Sequence, residues 1–224
     1  MSSDRPGPDE YRHPDDGFSC AHEYVLPHLE GVIDRWIPEP SGVRVLDLGC
    51  GNGAVSGRLS ERGFRVVGVD PSREGIRRAR ETHPEIEFHR ASAYDPLRER
   101  LGRFGLVVSL EVVEHVYDPG AYARTLHDVL APGGIAVVST PYHGFLKNLA
   151  IALLGRFDDH VEPRRVHGHI KFWSRDTLRS LLEAANLEVL EFRRAGRIPP
   201  LARSMIAVAR RRRADAVAPG AASA

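Results

Sequence analysis

The chain reads as an α/β protein on a doubly wound, mainly parallel sheet, and three observations lead there. Short apolar, β-branched runs alternate with helix-period stretches from Val43 to Leu130. A glycine turn, Gly49-Cys50-Gly51-Asn52-Gly53, joins the first such run to the helix after it. The 224 residues, 42% hydrophobic and 27% charged, suffice for the core of one such domain.

Each element has its own warrant. Residues 1–16, rich in Pro, Asp, Gly and Arg, read as a flexible arm before a domain over 17–210. Tyr24, Val25, Leu29, Val32, Ile33 and Trp36 fall at helical spacing and predict a helix over 19–36 despite Pro27. Its His22, Tyr24 and His28 can either reach the active site or simply face water. Val43–Leu48 is the first strand, and Ala54–Arg62 the helix that Gly63 stops. Phe64–Val69 is the second strand, closed by Asp70; Ser72 caps the helix to Thr82. Ile86–His89 and Gly105–Leu110 are the third and fourth strands. Asp118-Pro119 opens a helix to Leu130, and Pro132-Gly133-Gly134 turns into the fifth strand, Ile135–Ser139. An insertion over about 141–172, with an apolar helix at Phe145–Leu154, reads as a substrate lid. Tyr142, His143, Phe145, Lys147 and His160 are its candidates for substrate contact. A dimer contact or a membrane-surface patch is the alternative for that helix. Ser174 caps a helix to Ala185, and Leu187–Arg193 and Ala202–Ala209 are the sixth and seventh strands. Arg210–Arg213 opens a tail, 211–224, read as disordered.

Composition narrows the function classes. With 31 basic and 30 acidic residues the net charge is +1, so no global field recruits nucleic acid or anionic membrane. Two cysteines in unrelated contexts, Cys20 and Cys50, make no disulfide framework, and Cys50 reads as packing inside the turn. No signal peptide and no membrane-length apolar run is present, which predicts a cytoplasmic protein.

The glycine turn carries the first chemistry. Gly49, Gly51 and Gly53 remove Cβ atoms where a ligand must approach the main chain, with helix amides behind. Gly49, Gly51 and Ala54 also satisfy a dinucleotide fingerprint. Asp47, two residues before the first glycine, separates the readings: its charge opposes a pyrophosphate and suits a cationic amino group. The run V-L-D-L-G-C-G-N-G resembles the first motif of the class I S-adenosylmethionine-dependent methyltransferases. In that family the turn receives the methionine moiety of the cofactor. The resemblance implies a Rossmann-like sheet of seven strands, mostly parallel, with a C-terminal antiparallel hairpin. Asp70, with Pro71 beside it, stands where an acid accepts hydrogen bonds from ribose hydroxyls, as it also would in a dehydrogenase. Arg90-Ala91-Ser92-Ala93 resembles the family's third motif, which implies that Ser92 and Ala93 read the adenine edge. Tyr94 either stacks on the base or covers the loop.

Glu111-Val112-Val113-Glu114-His115, at the end of the fourth strand, carries the second chemistry, beside the transferable methyl. This E-V-x-E-H pattern resembles ubiquinone-biosynthesis-like methyltransferases. The bland alternative has Glu111 orienting the cofactor while Glu114 and His115 cap a helix. Four of the eleven histidines, His143, His160, His167 and His169, lie between the fifth strand and the last long helix. His169, ahead of Trp173, is similar in spacing to small-RNA terminal 2′-O-methyltransferases. That likeness implies a divalent ion, Mg, Mn, Fe or Zn, on Glu111, Glu114, His115 and His169. Such a donor set suits a hard or borderline ion and substrates that chelate, such as catechols, diols or hydroxyquinones. Without metal, His115, His143 or His169 is the expected general base.

The expectation is therefore an S-adenosylmethionine-dependent O-methyltransferase of a small molecule, with a homodimer through the lid helix as one arrangement. RNA ribose 2′-O-methylation and N-methylation by a histidine base are the rivals. Near-neutral charge and no appended RNA-binding module weigh against nucleic acid.

Overall fold

A computed structural model describes residues 21–158, 168–198 and 201–213. The arm at 1–16, His160, His167, Cys20 and the tail beyond Arg213 lie outside the described residues. Seven strands form one sheet in the order β3-β2-β1-β4-β5-β7-β6. They are β1 Arg44–Leu48, β2 Arg65–Asp70, β3 Glu87–Arg90, β4 Phe104–Leu110, β5 Leu130–Pro141, β6 Leu187–Ala195 and β7 Ser204–Arg211. Strands β1 to β5 pair in parallel, whereas β7 runs antiparallel to both β5 and β6. The doubly wound sheet with its closing hairpin is as the sequence predicts.

The helices are α1 His22–Trp36, α2 Ala54–Glu61, α3 Arg73–Thr82, α4 Leu97–Leu101, α5 Pro119–Val129, α6 Phe145–Leu153 and α7 Arg175–Ala184. Successive strand residues point to opposite faces, so the sheet has two cores. Val45, Leu106, Val108 and Val137 pack with Val25, Leu29, Val55, Leu59 and Ile76 of α1, α2 and α3. Leu46, Val107, Ala136 and Val138 pack with Tyr122, Leu126, Leu178 and Leu182 of α5 and α7. Burying one medium-sized aliphatic side chain contributes about 1.5–3 kcal/mol, so these paired layers hold the sheet rigid.

Caps set the helix starts. Ser72 Oγ accepts from Gly75 N, Asp118 Oδ1 from Ala121 N, and Ser174 makes a capping box with Thr177. Asn186, at φ 60°, ends α7 in the left-handed conformation that asparagine tolerates.

One local expectation is corrected, and one short helix is new. Pro132-Gly133-Gly134 is not a turn ahead of β5 but a bulge inside it. Phe104 pairs with Leu130 and Leu106 already with Ile135, so 131–134 loop out opposite Gly105, with Gly133 at φ 82°. The sequence also gave no sign of α4, whose single buried residue is Leu97. The apolar α6 forms where predicted, yet only Ile151 is buried; Phe145, Leu146, Leu149 and Leu153 are exposed. No helix among the described residues is long and apolar enough to cross a membrane.

Candidate active site

Two turns at the carboxyl edge of the sheet, after β1 and after its neighbour β4, build the site. The β1 turn is fixed by its own surroundings. Gly49 N and Cys50 N donate to Val69 O at 2.7 and 3.1 Å, stitching the turn to the end of β2. Gly49, Gly51 and Gly53 all have positive φ. Gly49 needs its missing side chain twice: at φ 87° a Cβ is strained, and it would lie 2.3 Å from Val112 Cγ2.

The acids of this half are buried. Asp47 is 2% exposed and accepts from Ser56 Oγ at 2.6 Å. Burial pushes its carboxyl up to about 7, the Asp70 charge adding to the rise and the Ser56 bond opposing it. Asp70 accepts from Gly51 N at 3.0 Å and Ser72 N at 2.7 Å, tying the glycine turn to the start of α3. Burial raises this carboxyl too, against those two amides. A carboxylate has about four lone-pair sites, so two amides leave Asp70 capacity for a ligand's hydroxyls. Pro71 adds its carbonyl as the acceptor of Arg90 Nε. Cys50 is buried and its thiol is pushed well up by burial and by Asp47 and Asp70, so it is a packing group.

Ser92 and Ala93 lie beyond β3. Ser92 N donates to Asp95 Oδ2 at 2.9 Å, and Ser92 Oγ accepts from Tyr94 N at 3.2 Å. The half-exposed Tyr94 then reaches across to accept from Asp118 N at 3.0 Å, joining this loop to the start of α5.

The turn after β4 is clamped by a segment far along the chain. Glu114 O accepts from both Ile170 N and Lys171 N at 3.0 Å. His115 Nδ1 bonds Gly168 O at 3.2 Å, and Trp173 Nε1 donates to Val113 O at 3.2 Å. Through these bonds His169 comes to lie against His115, their rings edge-on with centroids 4.9 Å apart. Ligand atoms of Glu114, His115 and His169 all lie within 4.8 Å of one another. A carbonyl can only accept, so Nδ1 carries the proton and donates, and the lone pair of His115 sits on Nε2.

Glu114 is 1% exposed, and neither of its carboxylate oxygens has a hydrogen-bond partner among the described residues. The nearby Thr140 hydroxyl, also without a partner, favours the ionised form slightly but falls outside hydrogen-bond geometry. Burial, then the Glu111 charge, push the Glu114 carboxyl well above the usual range. An orphaned buried carboxylate beside two imidazoles is a donor set that a divalent cation would satisfy.

Glu111 stands outside that triad. At φ 55° it is a non-glycine residue in the left-handed region, a conformation that costs about 1–3 kcal/mol and marks functional sites. Ser139 Oγ donates to Glu111 Oε1 at 2.7 Å and accepts from Glu111 N at 3.0 Å. The Ser204 hydroxyl also favours its ionised form, and Tyr24 Oη of α1 lies 3.4 Å from Ser204 Oγ. Of the three α1 candidates Tyr24 is the one bonded to this serine. His143 sits apart from the triad, with Nδ1 3.2 Å from Asn148 Oδ1 and its ring edge-on to Phe172. Ser139, Ser204 and Trp173 are the positioning groups that sequence reasoning missed. Polar residues closing apolar strands, as in Val138-Ser139-Thr140-Pro141, were the available signal.

Comparison with known proteins gives a consistent picture. A family model described as a methyltransferase domain matches residues 22–191. The ubiquinone biosynthesis O-methyltransferase of Ruegeria pomeroyi is 35% identical over 180 residues, which cover 77% of this chain and 72% of that protein. Its namesake in a Caulobacter species is 39% identical over 154 residues, covering 66% and 60%. Among solved structures, magnesium protoporphyrin IX methyltransferase from Synechocystis with bound S-adenosylhomocysteine aligns with a TM-score of 0.62 at 18% identity, covering 84% of this chain and 83% of that one. A methyltransferase dependent on S-adenosylmethionine from Methanosarcina mazei aligns at 0.63 and 20%, covering 82% and 98%. At those identities the structures speak for the fold.

Proposed function

Because the chain belongs to the class I S-adenosylmethionine-dependent methyltransferases and is an O-methyltransferase, we propose that its acceptor is a small molecule with chelating oxygens. A catechol, a vicinal diol or a hydroxyquinone-like compound is meant, with a divalent ion on Glu114, His115 and His169. The observation that carries the reading is the pair of buried, unbonded Glu114 oxygens facing two imidazoles.

In this reading the glycine turn receives the methionine part of the cofactor and Asp70 the ribose hydroxyls. Asp47 sits beneath the turn as a buried negative charge for the cofactor's amino group. Ser92, Ala93 and Tyr94 form the adenine edge. Glu111, held by Ser139, borders cofactor and acceptor.

Methyl transfer from a sulfonium is an in-line displacement: a C–O bond forms as the C–S bond breaks, and the acceptor hydroxyl gives up its proton. A divalent ion at the triad would lower the pKa of a bound hydroxyl and fix its position. The protein's own part is alignment, and without the ion His115 or His169 is placed to take the proton. Gly168 O orients His115 by the bond to Nδ1, and the 168–173 backbone brings up His169. The near-neutral charge favours a small molecule over RNA.

Elemental analysis and divalent-ion titration of wild type and His169→Ala, both with S-adenosylhomocysteine bound, test the proposal. One saturable ion in wild type, lost in the variant, is expected. No ion in either, with the cofactor analogue still bound, overturns the metal site.

A further inference from the structure

The two turns of the site hang from the central strands β1 and β4, and those strands part before they reach it. Their ladder ends at Asp47 and Val108. Each strand still pairs with its outer neighbour beyond that point, β1 as far as Leu48 with Val69 and β4 as far as Leu110 with Ser139. The parting falls where the order β3-β2-β1-β4-β5 reverses, the place where doubly wound sheets open a crevice for ligands. Two side chains close the gap beneath it. Ser109 Oγ donates to Leu48 O at 2.9 Å, and Tyr122 Oη of α5 donates to Ser109 Oγ at 2.9 Å. The directions are fixed, because a carbonyl can only accept and the serine hydroxyl has one proton to give. Ser109 and Tyr122 are fully buried, so neither opens on the mouth of the site.

This chain of hydroxyls ties together three points. Leu48 immediately precedes Gly49 of the cofactor turn. Ser109 stands two residues before Glu111, where the β4 turn begins. Tyr122 stands near the start of α5, where that turn ends. Residues 168–173 clamp the crown of the β4 turn, whereas this junction gathers its two feet and fastens them to β1. What the pair supplies is a fixed distance. Its hydroxyls gain little stability, since a phenylalanine ring fills the same space and the net worth of a buried hydrogen bond is small. Burial pushes the phenol's ionisation up, with the Glu114 charge adding and the Ser109 bond opposing, so Tyr122 is a donor and not a base.

We infer that Tyr122 and Ser109 are positioning residues for methyl transfer, which hold the β4 turn at a set distance from the cofactor turn. In-line displacement needs nucleophile, methyl and sulfur aligned, and a misplacement of about 1 Å costs roughly a hundredfold in rate. The close approach of Gly49 to Val112 keeps the two turns from closing, and the hydroxyl chain keeps them from spreading. The inference rests on methyl transfer between the two turns, and not on a metal or a chelating acceptor.

Hydrogen–deuterium exchange and kinetics on the full chain test it, with Tyr122→Phe and with Tyr122→Phe/Ser109→Ala. The single change frees α5 from the junction; the double one also frees β4 from β1 and leaves no orphaned phenol. Thermal midpoints should drop by no more than about 4 °C and about 8 °C, respectively. With S-adenosylhomocysteine bound, amide exchange over 110–118 should quicken about tenfold in the double variant. Residues 44–53 and 65–70 should keep their wild-type rates, and affinity for the analogue should stay within about threefold. With catechol as acceptor and Mg²⁺ present, kcat should fall about tenfold in the single variant and about a hundredfold in the double one. The KM for the cofactor should stay within about threefold. Wild-type exchange over 110–118 in the double variant overturns the inference. So does a rise of the same size in all three stretches, which would make the pair a general stabiliser, or faster exchange with kcat unchanged. Should the wild type leave catechol unmethylated, that bears on the acceptor reading alone, and the exchange rates decide the inference by themselves.

Discussion

The turns after β1 and β4 are neighbours on one sheet edge and are held by opposite means. The β1 turn is local: glycine conformations, two amides on Val69 and one on Asp70 fix it within a short stretch of chain. The β4 turn is borrowed: its bonds to Gly168, Ile170, Lys171 and Trp173 cross 53 to 60 positions of sequence. A local turn forms with its strand and is as stable as the sheet. A turn clamped by a distant segment can loosen by itself, which suits a half that would admit and release the acceptor.

The two halves touch at Gly49 and Val112, and the largest expected effect lies there. Gly49→Ala adds strain at φ 87° and a Cβ 2.3 Å from Val112 Cγ2. Binding of S-adenosylhomocysteine should fall at least a hundredfold, with about 2–4 kcal/mol lost in urea unfolding. Gly49→Ala with Val112→Ala should recover the steric share and leave the backbone share. Full recovery would mean that φ contributes nothing.

The next effect belongs to the borrowed half. Glu114→Gln matches the neutral acid that burial favours, so metal-free stability should change by less than about 1 kcal/mol. Activity with a divalent ion should fall at least a hundredfold, about 2.7 kcal/mol in the barrier, and become insensitive to chelator. A chelator-sensitive Glu114→Gln enzyme would break the assignment. Trp173→Phe removes one bond to Val113 O, worth about 1 kcal/mol. A rise of about fivefold in acceptor KM with unchanged cofactor affinity would confirm that the clamp serves only the β4 half.

The same contrast explains what the sequence could disclose. Strand and helix periods, the caps at Ser72, Asp118 and Ser174, and the glycine turn are local signals, and they placed nearly all of the sheet. The bulge at 131–134 escaped because Pro-Gly-Gly reads as a turn until a partner strand continues past it. For the site, the spacing of Glu114, His115 and His169 carried a resemblance, but no pattern in the chain says that backbone bonds to Glu114 O bring them together. Nor could spacing reveal that Ser139 holds Glu111, because 28 residues separate the pair.

The smallest effect sharpens the comparison from the β1 side. Asp47, with its carboxyl pushed up to about 7, is partly protonated in the cofactor-free protein near neutral pH. In the unfolded chain it ionises near its ordinary value of 3.8, so between about 4 and 7 the folded state holds the extra proton. Its contribution to stability is then fully present below about 4 and is lost as pH rises through 7. Asp47→Asn keeps an acceptor for Ser56 and should flatten that part of the pH–stability curve. A bound ammonium reverses the balance, favouring the carboxylate, so cofactor binding should release part of a proton at pH 7. Affinity for S-adenosylhomocysteine should rise about twofold from pH 7 to 8 in wild type and stay level in Asp47→Asn. Calorimetry in two buffers of different ionisation heat measures the release. Equal slopes in both proteins would mean that the buried acid does not sense the ligand, and that the β1 turn binds through its amides alone.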